Sequence, residues 1–436
     1  MVYLEKERIF ANSLIDFIQN SPSQFHAARE IGRVLEEKGF KKLNMEDKWN
    51  LEKEGKYYCV KNSSAVVAFV IGKGDVEEYG FKIIGAHTDA PTFRIKPNPE
   101  ITVENRYLKL NTEVYGGPIF STWFDRPLSI AGRVAIKTDN PLKPREELVD
   151  LKKPVVIIPN LAIHMNRDVN KGVDINPQTD TLPLVSMLNE GFEKDNHLLK
   201  AVAENIGVNA EDVIDFDLFL YSTDKGSIIG LNEEFISCPK LDDLAMVHAG
   251  LYGITDGIAG NATNVLACFD NEEVGSTTKQ GAASPFLRTV LERIVLSLGK
   301  DKEDYFRALS NSFMISADMA HALHPNFTNK NDLTNKPFIN GGPVIKIAAN
   351  QAYTTDSMSA AVFEGICRRV NVPVQRFVNR SDQKGGSTIG PISTTQLDIP
   401  SVDIGNPILS MHSIRELGGV LDHYYAYSAF KGFYEV

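Results

Sequence analysis

The run Asn264-Val-Leu-Ala-Cys-Phe269 reads as a buried β-strand, and it ends in Asp270-Asn-Glu-Glu273. Nothing else in the chain constrains its fold as tightly. Three carboxylates at the mouth of an apolar strand repel one another and resist leaving water. A solvated acidic loop resolves the conflict, and so does a bound cation. In the second case adjacent glutamates divide the work of a metallohydrolase, one holding the ion and the other handling protons. Read alone, the tetrad admits both.

The chain around it is long enough, at 436 residues, for two or three domains. A formal charge of −10 and the lack of a basic stripe argue against nucleic acid. The first twenty residues carry charges throughout and lack the apolar core of a signal peptide. No uncharged apolar run approaches a membrane span. Cys59, Cys238, Cys268 and Cys367 are far apart in sequence, with no CxxC pair. Reduced, buried thiols in a cytoplasmic protein are the expectation.

Hydrophobic periodicity divides the chain. Ser23 is an N-cap for a helix with Phe25, Ala28, Ile31, Val34 and Leu35 on one face, and Gly39 is placed to stop it. Strands follow at 65–71 and 81–85. From 93 to 237 short alternating segments dominate, at 101–114, 129–137, 154–159 and 215–222, with a polar stretch embedded at 164–212. After Leu241 helices and strands alternate again: a helix through Leu244, Val247 and Leu251, then the strand at 264–269. Ser284-Pro285 is an N-cap/N1 pair for the next helix. Strands at 312–316, 373–378 and 401–405, with helices near 357–369 and 421–434, complete the series. The expected fold is α/β, an open and mostly parallel sheet flanked by helices. Residues 1–92 and 238–436 form that domain, and 93–237 is a β-rich insertion.

Ligands of open α/β sheets bind beyond the carboxyl ends of strands. Four such ends deliver metal-competent residues: His87 and Asp89, Glu272 and Glu273, Asp318, and His412. Asp242 and Asp243 open the helix just before the 264–269 strand. Taken singly, the histidines are ordinary, and the aspartate pair is a helix cap. Taken together, two histidines and three carboxylates sharing a bridge make two sites that suit Zn2+ and tolerate Co2+ or Mn2+. On an extended segment residues i and i+2 share a face, so Asp89 can orient the His87 ring.

The blocks GAHTDAP (85–91), LDDL (241–244), FDNEEVGS (269–276), ISADMAHALHPNF (315–327) and MHSIRELGG (411–419) resemble the signatures of the M18 metallopeptidases, the aspartyl aminopeptidase family. The resemblance runs over nearly the whole chain in the family's order. It implies a di-zinc exopeptidase-like α/β domain interrupted by a β-rich dimerisation domain, and a dodecamer built from dimers. It makes His87, Asp242 and Asp318 the ligands of one ion, with Asp242 bridging to a second completed by Glu273 and His412. Glu272 matches the general base, with Asp89 beside the site. Asp243 stands where many relatives have Asn, which alters the local charge.

Such a pair of ions, about 3.5–4 Å apart, lowers the pKa of a shared water and polarises a peptide carbonyl. The implied substrate is a peptide with a free N-terminus and an acidic first residue. Lys346 in GGPVIK (341–346) is then the candidate cation and Tyr353 its partner, although Lys346 alone reads equally as a surface lysine on a strand. Ser387 and Gly390 in GGSTIGP (385–391) line the same pocket. His164 in NLAIHMNRD (160–168) resembles the family histidine that reaches across a dimer to steady the oxyanion. Two other readings are a carboxypeptidase or deacylase of the same clan, and a non-catalytic assembly protein.

Overall fold

The computed structural model describes residues 5–188 and 196–436. These divide into two compact units, one of residues 5–89, 226–411 and 416–436, the other of residues 90–188, 196–225 and 412–415.

A nine-stranded mixed sheet forms the first unit. Its order is Lys41–Lys42, Lys56–Lys61, Ala65–Val70, Thr263–Phe269, Phe81–His87, Phe313–Ala317, Ser401–Gly405, Val344–Lys346 and Gln375–Phe377. The four central strands, from Thr263–Phe269 to Ser401–Gly405, run parallel. Antiparallel pairs flank them, against Ala65–Val70 on one side and Val344–Lys346 on the other. The middle of the sheet is buried on both faces, so strands such as Ala65–Val70 and Thr263–Phe269 are buried throughout rather than alternating. In Thr263–Phe269, Leu266 and Cys268 enter one core while Val265, Ala267 and Phe269 enter the other. Helices Glu5–Gln19, Gln24–Glu37, Leu241–Asp256, Ser357–Arg369 and Val420–Glu435 pack into the first core. Helices Phe286–Ser297, Lys302–Ser310 and Ile389–Leu397 pack into the second.

Local chemistry moves several expected boundaries. Ser23 occupies an N-cap position, but its hydroxyl lies 2.8 Å from His26 Nδ1 instead of capping the backbone. Pro285, expected as the first helical residue, is itself the N-cap. Ser284 accepts from the Phe286 N–H at 3.3 Å and so still serves the helix end. The four cysteines are buried, and none forms a disulfide. No described helix is long and apolar enough to cross a membrane.

The second unit carries a six-stranded antiparallel sheet ordered Arg145–Asp150, Leu128–Ile136, Val213–Ser222, Thr92–Val103, Tyr107–Tyr115 and Leu184–Met187. Phe93, Leu110, Trp123, Leu128, Leu218 and Ile414 build its core. The alternating segment 101–114 is a hairpin turning at Glu104 and Asn105, both with positive φ. The apolar run 154–159 makes no ladder, because Val156, Ile157 and Ile158 bridge to three different partners. Within the polar stretch 164–212 lie the strand Leu184–Met187 and the helix His197–Ile206, while residues 189–195 fall outside the described chain.

Candidate metal centre

Three parallel strands bring the first group of side chains together. The register pairs Phe269 with His87 and Ser316 with Gly85, so His87, the 270–273 turn and Asp318 emerge at one edge of the sheet. Gly405 permits this, since a Cβ there would fall 1.7 Å from the Asp318 carbonyl oxygen. Asp242 and Asp243 arrive from the start of helix Leu241–Asp256, where both have non-helical dihedrals and are joined by a cis peptide. They are not ordinary first-turn acids.

His87 is the hub. Its Nε2 lies 3.4 Å from Asp242 Oδ1, 3.8 Å from Asp318 Oδ1 and 4.0 Å from Glu272 Oε2. Its Nδ1 lies 3.1 Å from the Asp89 carbonyl and 3.3 Å from Asp89 Oδ1. The His87 N–H donates to Asp243 Oδ2 at 3.0 Å. Ligand atoms of His87, Asp242, Asp243 and Asp318 all lie within 4.8 Å of one another, and those of His87, Glu272 and Glu273 do likewise.

Asp89 does more than face the imidazole. Its two oxygens accept the backbone N–H groups of Glu272 and Glu273, each at 3.1 Å. Asn271, at φ 60°, makes the left-handed turn that presents those amides. Asn271 Oδ1 is held by Thr278 Oγ1 at 2.9 Å and Gln280 Nε2 at 2.7 Å, and Asp270 Oδ1 accepts the Asn271 N–H at 2.7 Å. Asp270 therefore shapes the turn. Glu416, which sequence reasoning missed, accepts the Asp242 N–H at 3.0 Å. It lies inside the MHSIRELGG block, but no spacing rule singles it out.

Electrostatics favour an added cation. Burial first, and then like charge from Asp318, Asp89 and Asp242, pushes the Glu272 carboxyl up to about 8. Burial, with Asp89 adding to it, pushes Asp270 up to about 7. Glu273 and Asp243 are driven well above the carboxylate range, chiefly by burial. Burial pulls His87 down, but Asp243 together with Asp242, Asp318 and Asp89 outweighs it and raises the ring well above its usual value. Asp243 Oδ1 is buried with no hydrogen-bond partner. The His87 imidazole and one ammonium, Lys346 beside Asp318, cannot balance this many carboxylates, whereas divalent cations with borderline-to-hard preferences fit the donor set.

Lys346 is buried, with Nζ donating to Asp318 Oδ2 at 3.3 Å and to the Met319 carbonyl at 3.1 Å. It is no surface lysine. The same Nζ lies 5.3 Å from the centre of the buried Tyr353 ring. Gly390 is buried in the first turn of helix Ile389–Leu397, and the exposed Ser387 donates to the Ala352 carbonyl at 3.3 Å. In the second unit, His412 Nδ1 lies 3.0 Å from the Gly117 carbonyl, and His164 is exposed on a turn.

A family model described as Aminopeptidase I zinc metalloprotease (M18) matches residues 17–434. The chain is 61% identical over 427 residues to the Probable M18 family aminopeptidase 2 of Clostridium novyi (strain NT), covering 98% of this chain and 99% of that protein. Among solved structures, the cryo-EM structure of the Ape4 and Nbr1 complex superposes with a TM-score of 0.94 at 36% identity, covering 98% of this chain and 86% of that one. The S. cerevisiae mApe1 dodecamer superposes with a TM-score of 0.86 at 30% identity, covering 99% and 97%.

Proposed function

Because the chain belongs to the M18 family of zinc aminopeptidases, we propose that it is of the aspartyl type, releasing Asp or Glu from the free N-terminus of peptides. The observation that carries this reading is a buried ammonium, Lys346, 3.3 Å from Asp318 in a cluster where ligand atoms of His87, Asp242, Asp243 and Asp318, and of His87, Glu272 and Glu273, lie within 4.8 Å of one another. His87, Asp242 and Asp318 would hold one divalent ion, and Asp242, Glu273 and His412 the other, with zinc the first candidate. For His412 the support is its family block and the ring's Nδ1 contact with Gly117, since donation there leaves the lone pair on Nε2. When bound, the ions supply a water of lowered pKa and polarise the scissile carbonyl.

The protein's own groups supply the rest. Glu272 takes the proton from the attacking water and returns it to the leaving amine, a role supported by its Oε2 lying 4.0 Å from His87 Nε2 at the same strand ends. Asp89 holds the Glu272 and Glu273 amides, so base and ligand keep a fixed separation. Lys346 meets the carboxylate of an acidic first residue. Burial works against its charge, but Asp318 first among its neighbours keeps the ammonium protonated. His164 steadies the oxyanion of a partner subunit, a role supported by its exposed apolar neighbours Leu161, Ile163 and Met165. A homo-oligomer of dimers, up to a dodecamer, is supported by the relative solved in that form.

The test is a panel of N-terminal reporters on metal-reconstituted protein, comparing Asp-, Glu-, Ala- and Leu-p-nitroanilides with N-acyl amino acids. Acidic reporters should lead, and Lys346→Met should shrink their advantage by about 10²-fold, the scale of a buried charge pair broken on one side. Faster hydrolysis of N-acyl amino acids would instead make the protein a deacylase.

A further inference from the structure

Asp403 lies in the strand Ser401–Gly405, fully buried in the sheet. A carboxylate there is stable only if donors surround it. Its Oδ1 accepts from Ser316 Oγ and Thr388 Oγ1, both at 2.6 Å. Its Oδ2 accepts from the Thr354 N–H at 2.6 Å and from Thr354 Oγ1 at 3.0 Å. Its own N–H donates to Thr355 Oγ1 at 2.9 Å. One side chain thus ties together the strand Phe313–Ala317, the segment before helix Ser357–Arg369, and the N-cap of helix Ile389–Leu397.

Two of the tied residues adjoin ones expected in the substrate pocket. Thr354 follows Tyr353, and Thr388 stands between Ser387 and Gly390. The antiparallel register Val344↔Gly405 and Ile345↔Ile404, continued by one residue, sets Lys346 beside Asp403. Thr388 occupies an N-cap position without capping its helix, because its hydroxyl goes to Asp403 instead. Gly390 completes the fit, since a Cβ there would lie 2.5 Å from Asp403 Oδ2.

We propose that Asp403 is the positioning residue of the pocket for the substrate's first side chain. It holds the 353–355 and 387–390 segments against Lys346, so pocket width and cation position are set together. The proposal rests on the pocket assigned above, and its test reads discrimination rather than which residue is preferred.

Asp403→Asn keeps the side-chain shape while removing its charge. Thr388→Val removes one donor, in an isosteric change that leaves the carboxylate intact. For both, kcat, KM, metal content and melting temperature are measured across the reporter panel. KM for the preferred reporter should rise about tenfold, the scale of one hydrogen bond to a charged group. The change in kcat should be smaller, the ratio of preferred to disfavoured reporters should contract, and metal should remain. If Asp403→Asn fails to fold, Thr388→Val decides alone. Parallel loss on all reporters, or an unchanged ratio, overturns the proposal. A wild-type preference for neutral reporters would overturn the acidic reading. In that case Asp403 is still judged by whether the variants erode that other preference.

Discussion

Glu272 and Glu273 are neighbours with different proposed tasks, and the difference can be read out separately. Replacing Glu272 by Gln keeps its shape and leaves Glu273 in place to hold its ion. It removes only the capacity to accept a proton. Turnover should fall by about 10²–10⁴-fold while bound metal stays at the wild-type ratio. Near-normal turnover in Glu272→Gln would remove the base assignment. At this scale the residues that meet were legible where chemistry repeats at short spacing. His87 and Asp89 share a face at i and i+2, and the two glutamates follow directly from a strand end. The grip of Asp89 on the Glu272 and Glu273 amides was not legible, because it depends on the Asn271 turn and on alignment of separate strands. Glu416 bonds an amide 174 positions away, a distance across which sequence carries no spacing signal.

Helices Leu241–Asp256 and Val420–Glu435 cross through a buried imidazole pair, His248 Nδ1 lying 2.9 Å from His423 Nε2. Ser13 Oγ, on helix Glu5–Gln19, lies 3.1 Å from His248 Nε2, and the Phe10 ring sits 4.8 Å from both imidazoles. Burial depresses both rings, His423 to about 3 and His248 well below its usual value. Well above pH 6.5 neither state binds these protons, so the pair adds no pH dependence to stability. Below it the unfolded chain takes up protons that the folded chain refuses, and stability falls until the folded values are reached. Each histidine contributes a loss of about 1.4 kcal/mol per pH unit in that window. In chelator-treated protein, His423→Gln should therefore lose about 2 kcal/mol less than wild type between pH 6.5 and pH 5, measured by urea denaturation. Equal losses would mean that these rings titrate in the folded state. Elements bounded by strong local signals matched their reading, as helix Ser357–Arg369 and strand Ser401–Gly405 did. The 154–159 run did not, since apolar content alone does not say whether a partner strand continues beside it.

At the scale of the whole molecule, strands such as Tyr107–Tyr115 alternate because one face of an antiparallel sheet is open, while the central strands of a two-sided sheet do not. What a second chain would cover was legible only through resemblance. The turn around His164 projects Leu161, Ile163 and Met165 with 53%, 49% and 73% of their surface exposed. Apolar side chains clustered this way on a loop mark a contact surface, and each gives about 1.5–3 kcal/mol when fully covered. Charging two of them, Ile163→Glu with Met165→Glu, removes that gain and sets like charges on facing copies. The expected result by sedimentation is a smaller species that still binds metal and has lost most of its activity. His164→Ala is the complementary change, keeping the native mass but lowering kcat by about 10²-fold through loss of an oxyanion donor. If the small species of the double variant turns over at the wild-type rate, His164 acts on no partner, and each subunit carries out the reaction alone.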